Sequence, residues 1–218
     1  MGFLKKYRFD LIILIILIIF PIVIWGTMKP LNLRFGSLWM VLTSLGQLTA
    51  LVGTVLTAVS MMMQVRLCRF MQFLSKPSTG LNVHHYAGFF GLLFLLFHPL
   101  FLAARLISTS LEASFTFLYT TEFINLIGLI ALFLMILSMY TTLFVARNFR
   151  FWKLLHQIML VAYVGILYHT IFVYSDISNS LILKSYILGL LILGGLAFAI
   201  QKIQYYLKPK VVRDEVTC

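Results

Sequence analysis

The chain has 218 residues, of which 61% are hydrophobic and 11% are charged, and its formal net charge is +11. A soluble domain of this length needs more polar surface, so the composition excludes one and favours a membrane protein. The basic residues are scattered among short segments and form no basic helix, which argues against nucleic-acid binding. Cys68 and Cys218 are too few for a disulfide framework or a thiolate metal site, which leaves histidine as the side chain for ligand chemistry.

Six apolar blocks follow one another along the chain, and each is long enough to cross roughly 30 Å of hydrocarbon as a helix. They lie near residues 11–28, 38–63, 84–104, 123–146, 154–174 and 181–201. The first block follows three basic residues, but its length and the lack of a small-residue cleavage site favour an uncleaved span over a signal peptide. We therefore predict an all-α membrane protein, a six-helix transmembrane bundle in a single domain over residues 1–218, surrounded by membrane lipid.

The basic residues predict the orientation of this bundle. If the spans alternate, only four of the 17 basic residues lie on one side of the membrane, namely Lys29, Arg34, Arg105 and Lys184. The positive-inside rule then places both termini in the cytoplasm, for a protein of the plasma or inner membrane. The sequence shows no glycine-rich nucleotide-binding motif, so we expect no soluble flavin or nicotinamide domain within it.

All five histidines lie in the third and fifth spans. His84 and His98 are 14 residues apart, which gives about 21 Å of helical rise and places both side chains on nearly one face. His156 and His169 are 13 residues apart, with nearly the same rise, although an ideal helix leaves them out of phase. Both spans run from the cytoplasm outward. They therefore place His84 and His156 near the inner face, and His98 and His169 towards the outer one.

Two His–His pairs at two depths suit haem better than other metal centres. Zinc needs four ligands in an enclosed tetrahedron, and a di-iron site needs carboxylates inside the bundle, whereas all six acidic residues lie at or beyond the span ends. Haem iron takes only two axial ligands from the protein, and two histidines suit electron transfer. We therefore predict two haems stacked between the third and fifth helices, of b type because no C-x-x-C-H is present. His85 stays an alternative to His84, whose phase with His98 is better.

Two sequence runs carry a family resemblance. The third span reads HHYAGFFGLLFLLFHPLF from His84, and the fifth opens WKLLHQIMLVAYVGILYH from Trp152. Together they resemble the ferric-reductase-like transmembrane domain, which is shared by ferric reductases, NADPH oxidases and the haem subunit of bacterial sulfoxide-reducing systems. The resemblance covers about the second to the sixth span. By position, it implies that His84 and His156 bind the inner haem iron, and that His98 and His169 bind the outer one.

The resemblance also implies an oxidoreductase that passes electrons from a cytoplasmic flavin-type donor to an outer acceptor, such as ferric iron, oxygen or a partner protein. Ferric reductases and NADPH oxidases carry a flavin- and nicotinamide-binding domain after the last span. Because that domain is absent here, FAD and NAD(P)H would act through a separate donor protein or a removed domain. The sulfoxide-system subunit usually has arginine where His84 stands, so the four-histidine pattern is closer to the oxidases and reductases.

Charged and small residues near the histidines are further candidates for contact with the haems. Haem propionates are anionic, so Arg69 on the inner side and Arg105, two turns beyond His98, are predicted cofactor-binding residues, with ordinary loop charges as the alternative. Gly88 and Gly91 would let the porphyrin, or simply a neighbouring helix, approach closely.

Two other functions compete with electron transfer. A transporter with a histidine proton relay would need acidic residues at mid-membrane and matched helix breaks, and the sequence has neither. A non-catalytic membrane anchor would not need paired ligands at two depths.

Overall fold

The computed structural model describes residues 8–63, 77–107, 123–144, 149–173, 175 and 179–207, and every regular element within these ranges is a helix. In chain order the helices are α1 (Arg8–Thr27), α2 (Asn32–Phe35), α3 (Leu38–Met63), α4 (Pro77–Ile107), α5 (Phe123–Phe144), α6 (Phe149–Phe172) and α7 (Leu181–Leu207). The predicted third and fifth spans correspond to α4 and α6. The four-residue helix α2 was not predicted from the sequence.

Four helices are long and apolar enough to cross a membrane: Leu38–Met63, Asn82–Ile107, Phe123–Thr142 and Leu181–Ile200. Two shorter apolar stretches lie at Ile12–Thr27 and His156–Phe172, counted within the part of the chain that the structure describes. Large apolar side chains are exposed along the helices, as expected where lipid rather than water surrounds them. The all-helical membrane architecture is thus supported, while the count of six spans stays a prediction.

The helices pack mainly as two antiparallel hairpins. The most extensive contact is between α3 and α4, followed by that between α5 and α6, and α7 packs chiefly on α3. The backbones of α4 and α6, which carry all five histidines, make at most marginal contact with each other. The two histidine-bearing helices therefore lie in different hairpins, with side chains rather than backbone between them.

Small residues let α3 and α4 approach closely. A Cβ atom on Gly91 would lie 2.9 Å from Thr57 Oγ1 and 3.2 Å from the Thr57 backbone nitrogen, and one on Gly88 would lie 3.1 Å from Ser60 Oγ. Close approach at such positions is the usual way in which transmembrane helices associate. Of the two interpretations of Gly88 and Gly91, the structure favours helix packing.

Tyr186 compensates for a proline inside α1. Pro21 has no backbone N–H, so the carbonyl of Leu17, four residues earlier, loses its helical donor. The Tyr186 hydroxyl of α7 donates to this same carbonyl at 2.8 Å, and its ring packs against Phe20 at 4.9 Å between centroids. In a membrane, no water is present to replace such a donor. One hydrogen bond therefore joins the first and last described helices.

We expect Tyr186→Phe to destabilise the protein by about 1 kcal/mol, the usual size of a hydrogen bond between membrane helices. Pro21→Ala should restore the helical donor to Leu17. The same tyrosine substitution should therefore have a smaller effect when Pro21→Ala is present. Unfolding of the four proteins in mixed detergent would measure this coupling, and an equal loss in both backgrounds would contradict it.

Candidate functional site

The outer pair, His98 of α4 and His169 of α6, lines one cavity of about 140 Å³. This is room for on the order of ten water-sized spheres. Apolar side chains form most of the wall, and polar residues from several helices join them. The lining includes Trp25, Gln47, Thr54, Leu95, Leu102, Asn125, Leu129, Leu132, Ile166 and Thr170. Two imidazoles from facing helices thus share one mainly apolar space.

The inner pair encloses less space. The ring centroids of His84 and His156 are 6.2 Å apart, and the two ring planes are nearly perpendicular at 87°. The adjoining cavity, which His84 lines, measures about 30 Å³. The methionines Met61, Met135 and Met159 also line it, and such flexible side chains adapt readily to irregular gaps.

The two α4 histidines are oriented by α3. His98 Nδ1 donates to the Gly46 carbonyl oxygen at 2.9 Å, and His84 Nδ1 donates to the Ser60 carbonyl oxygen at 2.9 Å. The Ser60 hydroxyl adds a second hydrogen bond between the same two residues, because it donates to the His84 carbonyl oxygen at 3.0 Å. A carbonyl oxygen can only accept, so Nδ1 carries the proton in both rings.

The two α6 histidines are oriented in the same way by α5. His169 Nδ1 donates to the Ile124 carbonyl oxygen at 2.8 Å. His156 Nδ1 instead lies 3.5 Å from Ser138 Oγ and 3.4 Å from Thr142 Oγ1. The Thr142 hydroxyl donates its own proton to the Ser138 carbonyl at 2.9 Å, so it presents a lone pair to His156. Nδ1 of His156 therefore contacts hydroxyl groups at longer distances, whereas Nδ1 of each of the other three rings donates to a backbone carbonyl.

The residue spacings account for this difference. On α3, Gly46 and Ser60 are 14 residues apart, which matches the 14 residues between His98 and His84 on the antiparallel α4. On α5, Ile124 and Ser138 are also 14 apart, but the α6 histidines are only 13 apart. One residue is about 100° of helical rotation. The side chains of Ser138 and Thr142 bridge the resulting offset. These side-chain contacts accommodate the 13-residue spacing of the α6 histidines, which the sequence alone left unexplained.

The common result is a set of four imidazoles whose Nδ1 atoms each lie against a neighbouring helix. Metal-binding histidines are typically held in this way, with the second nitrogen donating to a neighbouring acceptor that fixes ring and tautomer. His85 differs, because its side chain is exposed although its ring centroid lies 5.4 Å from that of His84. The geometry favours His84 over His85 as the inner-site residue.

Of the two arginines predicted to bind the cofactor, the structure describes Arg105. The Arg105 guanidinium lies over the Trp39 ring at 4.9 Å, and Arg105 does not line the outer cavity. Arg69 lies outside the described residues, so its predicted role stays untested. A site for a bare metal ion would require at least three His, Cys, Asp or Glu side chains close together. The described part of the chain contains no such group.

Arg34 is a buried charge whose environment the sequence did not predict. Arg34 of α2 is only 2% exposed, its guanidinium carbon lies 3.5 Å from the Trp25 ring centroid, and it donates to the Trp25 carbonyl oxygen. The sequence placed Arg34 among ordinary loop charges. Its burial depends on the turn between α1 and α3, which apolar periodicity does not predict.

A family model described as "Ferric reductase like transmembrane component" matches residues 49–167, more than half of the chain. The match runs from α3 into α6, includes His84, His98 and His156, and ends two residues before His169. No curated protein and no solved structure matches the chain.

Gly128 of α5 provides the surface on which the His169 ring packs. A Cβ atom at Gly128 would lie 2.9 Å from His169 Nδ1 and 3.0 Å from Cε1. We expect Gly128→Ala to displace the ring and to destabilise the protein by about 1–3 kcal/mol, as overpacking usually does. Gly189→Ala is the matched control, since nothing lies within 4 Å of its Cβ position. Thermal unfolding in detergent would compare them, and equal stability would contradict the packing role of Gly128.

Proposed function

Because the chain belongs to the ferric-reductase-like transmembrane component family, we propose that it carries electrons across a membrane through two b-type haems. The observation that supports this best is the arrangement of four imidazoles in two pairs. Each has Nδ1 directed at a neighbouring helix. Bis-histidine haem takes two imidazole ligands, and each pair would supply them through Nε2.

The outer pair fits a haem in both chemistry and surroundings. His98 and His169 come from helices whose backbones hardly touch, and the cavity between them has mainly apolar walls. A flat apolar macrocycle would replace helix–helix contact there. Gly46 and Ile124 supply the carbonyls that hold the two rings.

The inner pair also offers two imidazoles to one haem, but the cavity beside it would have to enlarge to hold the macrocycle. A metal–imidazole bond is about 2 Å long, so two rings on one ion have centroids about 6 Å apart, which is compatible with the 6.2 Å between His84 and His156. The small cavity beside them means that Met135 and Met159 would change rotamer around a macrocycle. Unbranched thioether side chains do this readily.

When bound, haem supplies one-electron chemistry, and the residues of this chain determine where the electron travels. Two imidazoles would be the protein ligands of each iron, which favours electron transfer over direct oxygen binding. Apolar side chains such as Leu95, Leu132 and Ile166 line the outer cavity and would shield a bound macrocycle from water. With His84 and His156 on the predicted cytoplasmic side, a flavin-containing donor would act there. The acceptor, whether ferric iron, oxygen or a partner protein, would act at the outer face.

Replacing single histidines tests this proposal. The purified protein should show a low-spin b-type spectrum with about two haems per chain. His84→Ala and His169→Ala should each reduce this to about one, whereas His85→Ala should keep two because its side chain is exposed. Pyridine-haem quantitation provides the measurement. Protein that binds no haem when haem is supplied during expression would overturn the proposal, and loss of haem in His85→Ala but not His84→Ala would reverse the inner ligand assignment.

The hydroxyl partners of His156 allow a second test. Removing both hydroxyls with Ser138→Ala and Thr142→Val should weaken the inner haem site about tenfold or more, the usual effect of losing the partner of a metal-bound histidine. Thr141→Val is the matched control, because its hydroxyl donates to the Ser138 carbonyl at 2.8 Å and is not a partner of His156. The rate of haem transfer to a haem-scavenging apoprotein measures the difference. Equal rates in the two proteins would exclude this supporting role.

A further inference from the structure

The outer cavity has a feature that the histidine pairs do not explain. On α3, the residue that follows the carbonyl partner of His98 is Gln47, and on α5 the residue that follows the carbonyl partner of His169 is Asn125. Both carboxamides line the outer cavity, one from each hairpin. Each supporting helix thus supplies, in two consecutive residues, an acceptor for an imidazole and an amide side chain for the cavity.

The Gln47 amide is held in one orientation. Trp25 Nε1 lies 3.1 Å from Gln47 Oε1. An indole N–H can only donate, so the oxygen of the amide faces Trp25 and the NH₂ group is left for other partners. Trp25 is itself buried and fixed by Arg34, whose guanidinium stacks on its ring and donates to its carbonyl oxygen. Arg34 therefore acts as a positioning residue for Gln47 through Trp25.

We propose that Gln47 and Asn125 form the carboxylate-recognition site of the outer cavity and bind the carboxylate groups of the outer haem. This inference rests on the proposed function. The two amides can supply one NH₂ group to each of the two carboxylates of one macrocycle, and a hydrogen bond to an ionised acceptor is stronger than one between neutral groups. Because both amides follow the partners of His98 and His169 directly, ring orientation and carboxylate recognition are set by the same turns of α3 and α5.

The inner site lacks this feature. The residues that follow Ser60 and Ser138 are Met61 and Met139, whose thioethers cannot donate a hydrogen bond. Arg105, the sequence-based candidate for an outer carboxylate partner, lies over the Trp39 ring and is not among the residues that line the cavity.

The test compares iron protoporphyrin IX with its dimethyl ester, which keeps the macrocycle and loses both negative charges. Each is added to the full-length apoprotein in detergent, and release to a haem-scavenging apoprotein is followed for the outer site. The variants are Gln47→Leu, Asn125→Leu and Gln47→Glu. Thr43→Val on the same helix is the control, because its exposed hydroxyl bonds within α3 to the Trp39 carbonyl.

We expect each leucine variant to release the natural haem about tenfold faster, the effect of losing one hydrogen bond to a charged group. Gln47→Glu should release it faster still, because the new carboxylate repels those of the haem. The release rate of the ester should differ much less among the four variants and the unmodified protein, because an ester carbonyl accepts only the weaker, neutral kind of hydrogen bond.

Two results would overturn the inference. One is natural haem that stays as tightly bound in all three amide variants as in Thr43→Val. The other is faster release of both haem and ester to the same extent, which would indicate general damage to the site. A carboxylate-bearing acceptor is the other source of this chemistry. In that case the amide variants would release haem at the unchanged rate. They would reduce ferric citrate more slowly than the unmodified protein does, but would reduce the neutral acceptor oxygen at the same rate. This result would assign the amides to the acceptor and overturn the haem assignment. Failure of the unmodified protein to bind any haem would instead refute the proposed function.

Discussion

The hydrogen bond from each imidazole Nδ1 to the neighbouring helix is the constraint on which the arrangement of the helices depends. For His98 and His84 to reach backbone carbonyls, α4 must lie close to α3 at two heights 14 residues apart. Glycine permits this closeness. A Cβ atom at Gly53 would lie 2.9 Å from the Leu95 backbone nitrogen, so any larger residue would separate the helices. The same interaction requires Gly128 on α5, where the His169 ring occupies the space of a side chain.

This constraint also explains why a cavity exists. Each histidine-bearing helix is committed to its own supporting helix, so α4 and α6 present imidazoles to each other instead of packing tightly. The outer cavity measures about 140 Å³ and has leucines and polar side chains in its wall, whereas the inner cavity measures about 30 Å³ and is lined by three methionines.

Much of this organisation could be predicted from the sequence, and the reasons differ from residue to residue. Apolar blocks and histidine spacing depend on helical periodicity, so the helices and the four candidate ligands could be read directly. The matched 14-residue spacing of Gly46 and Ser60 could not, because glycine and serine at a helix surface have no distinctive pattern. Arg105 was favoured for its charge and depth, but its stacking on Trp39 depends on how α3 begins. The sequence did not predict roles for Gln47 and Arg34, because their contacts with Trp25 depend on the turn through α2.

The division into two hairpins has a consequence for biogenesis. Each hairpin consists of helices that are consecutive in the chain, so each can form as soon as its second helix leaves the translocon. Every imidazole then acquires its tautomer within its own hairpin, before the other hairpin is complete. The direct contacts between the two hairpins are few, and α7 bridges them because it packs on α3 and accepts a hydrogen bond from Tyr163 of α6 at the Leu191 carbonyl. A cofactor ligated from both hairpins would strengthen this association late in maturation, after each hairpin has formed.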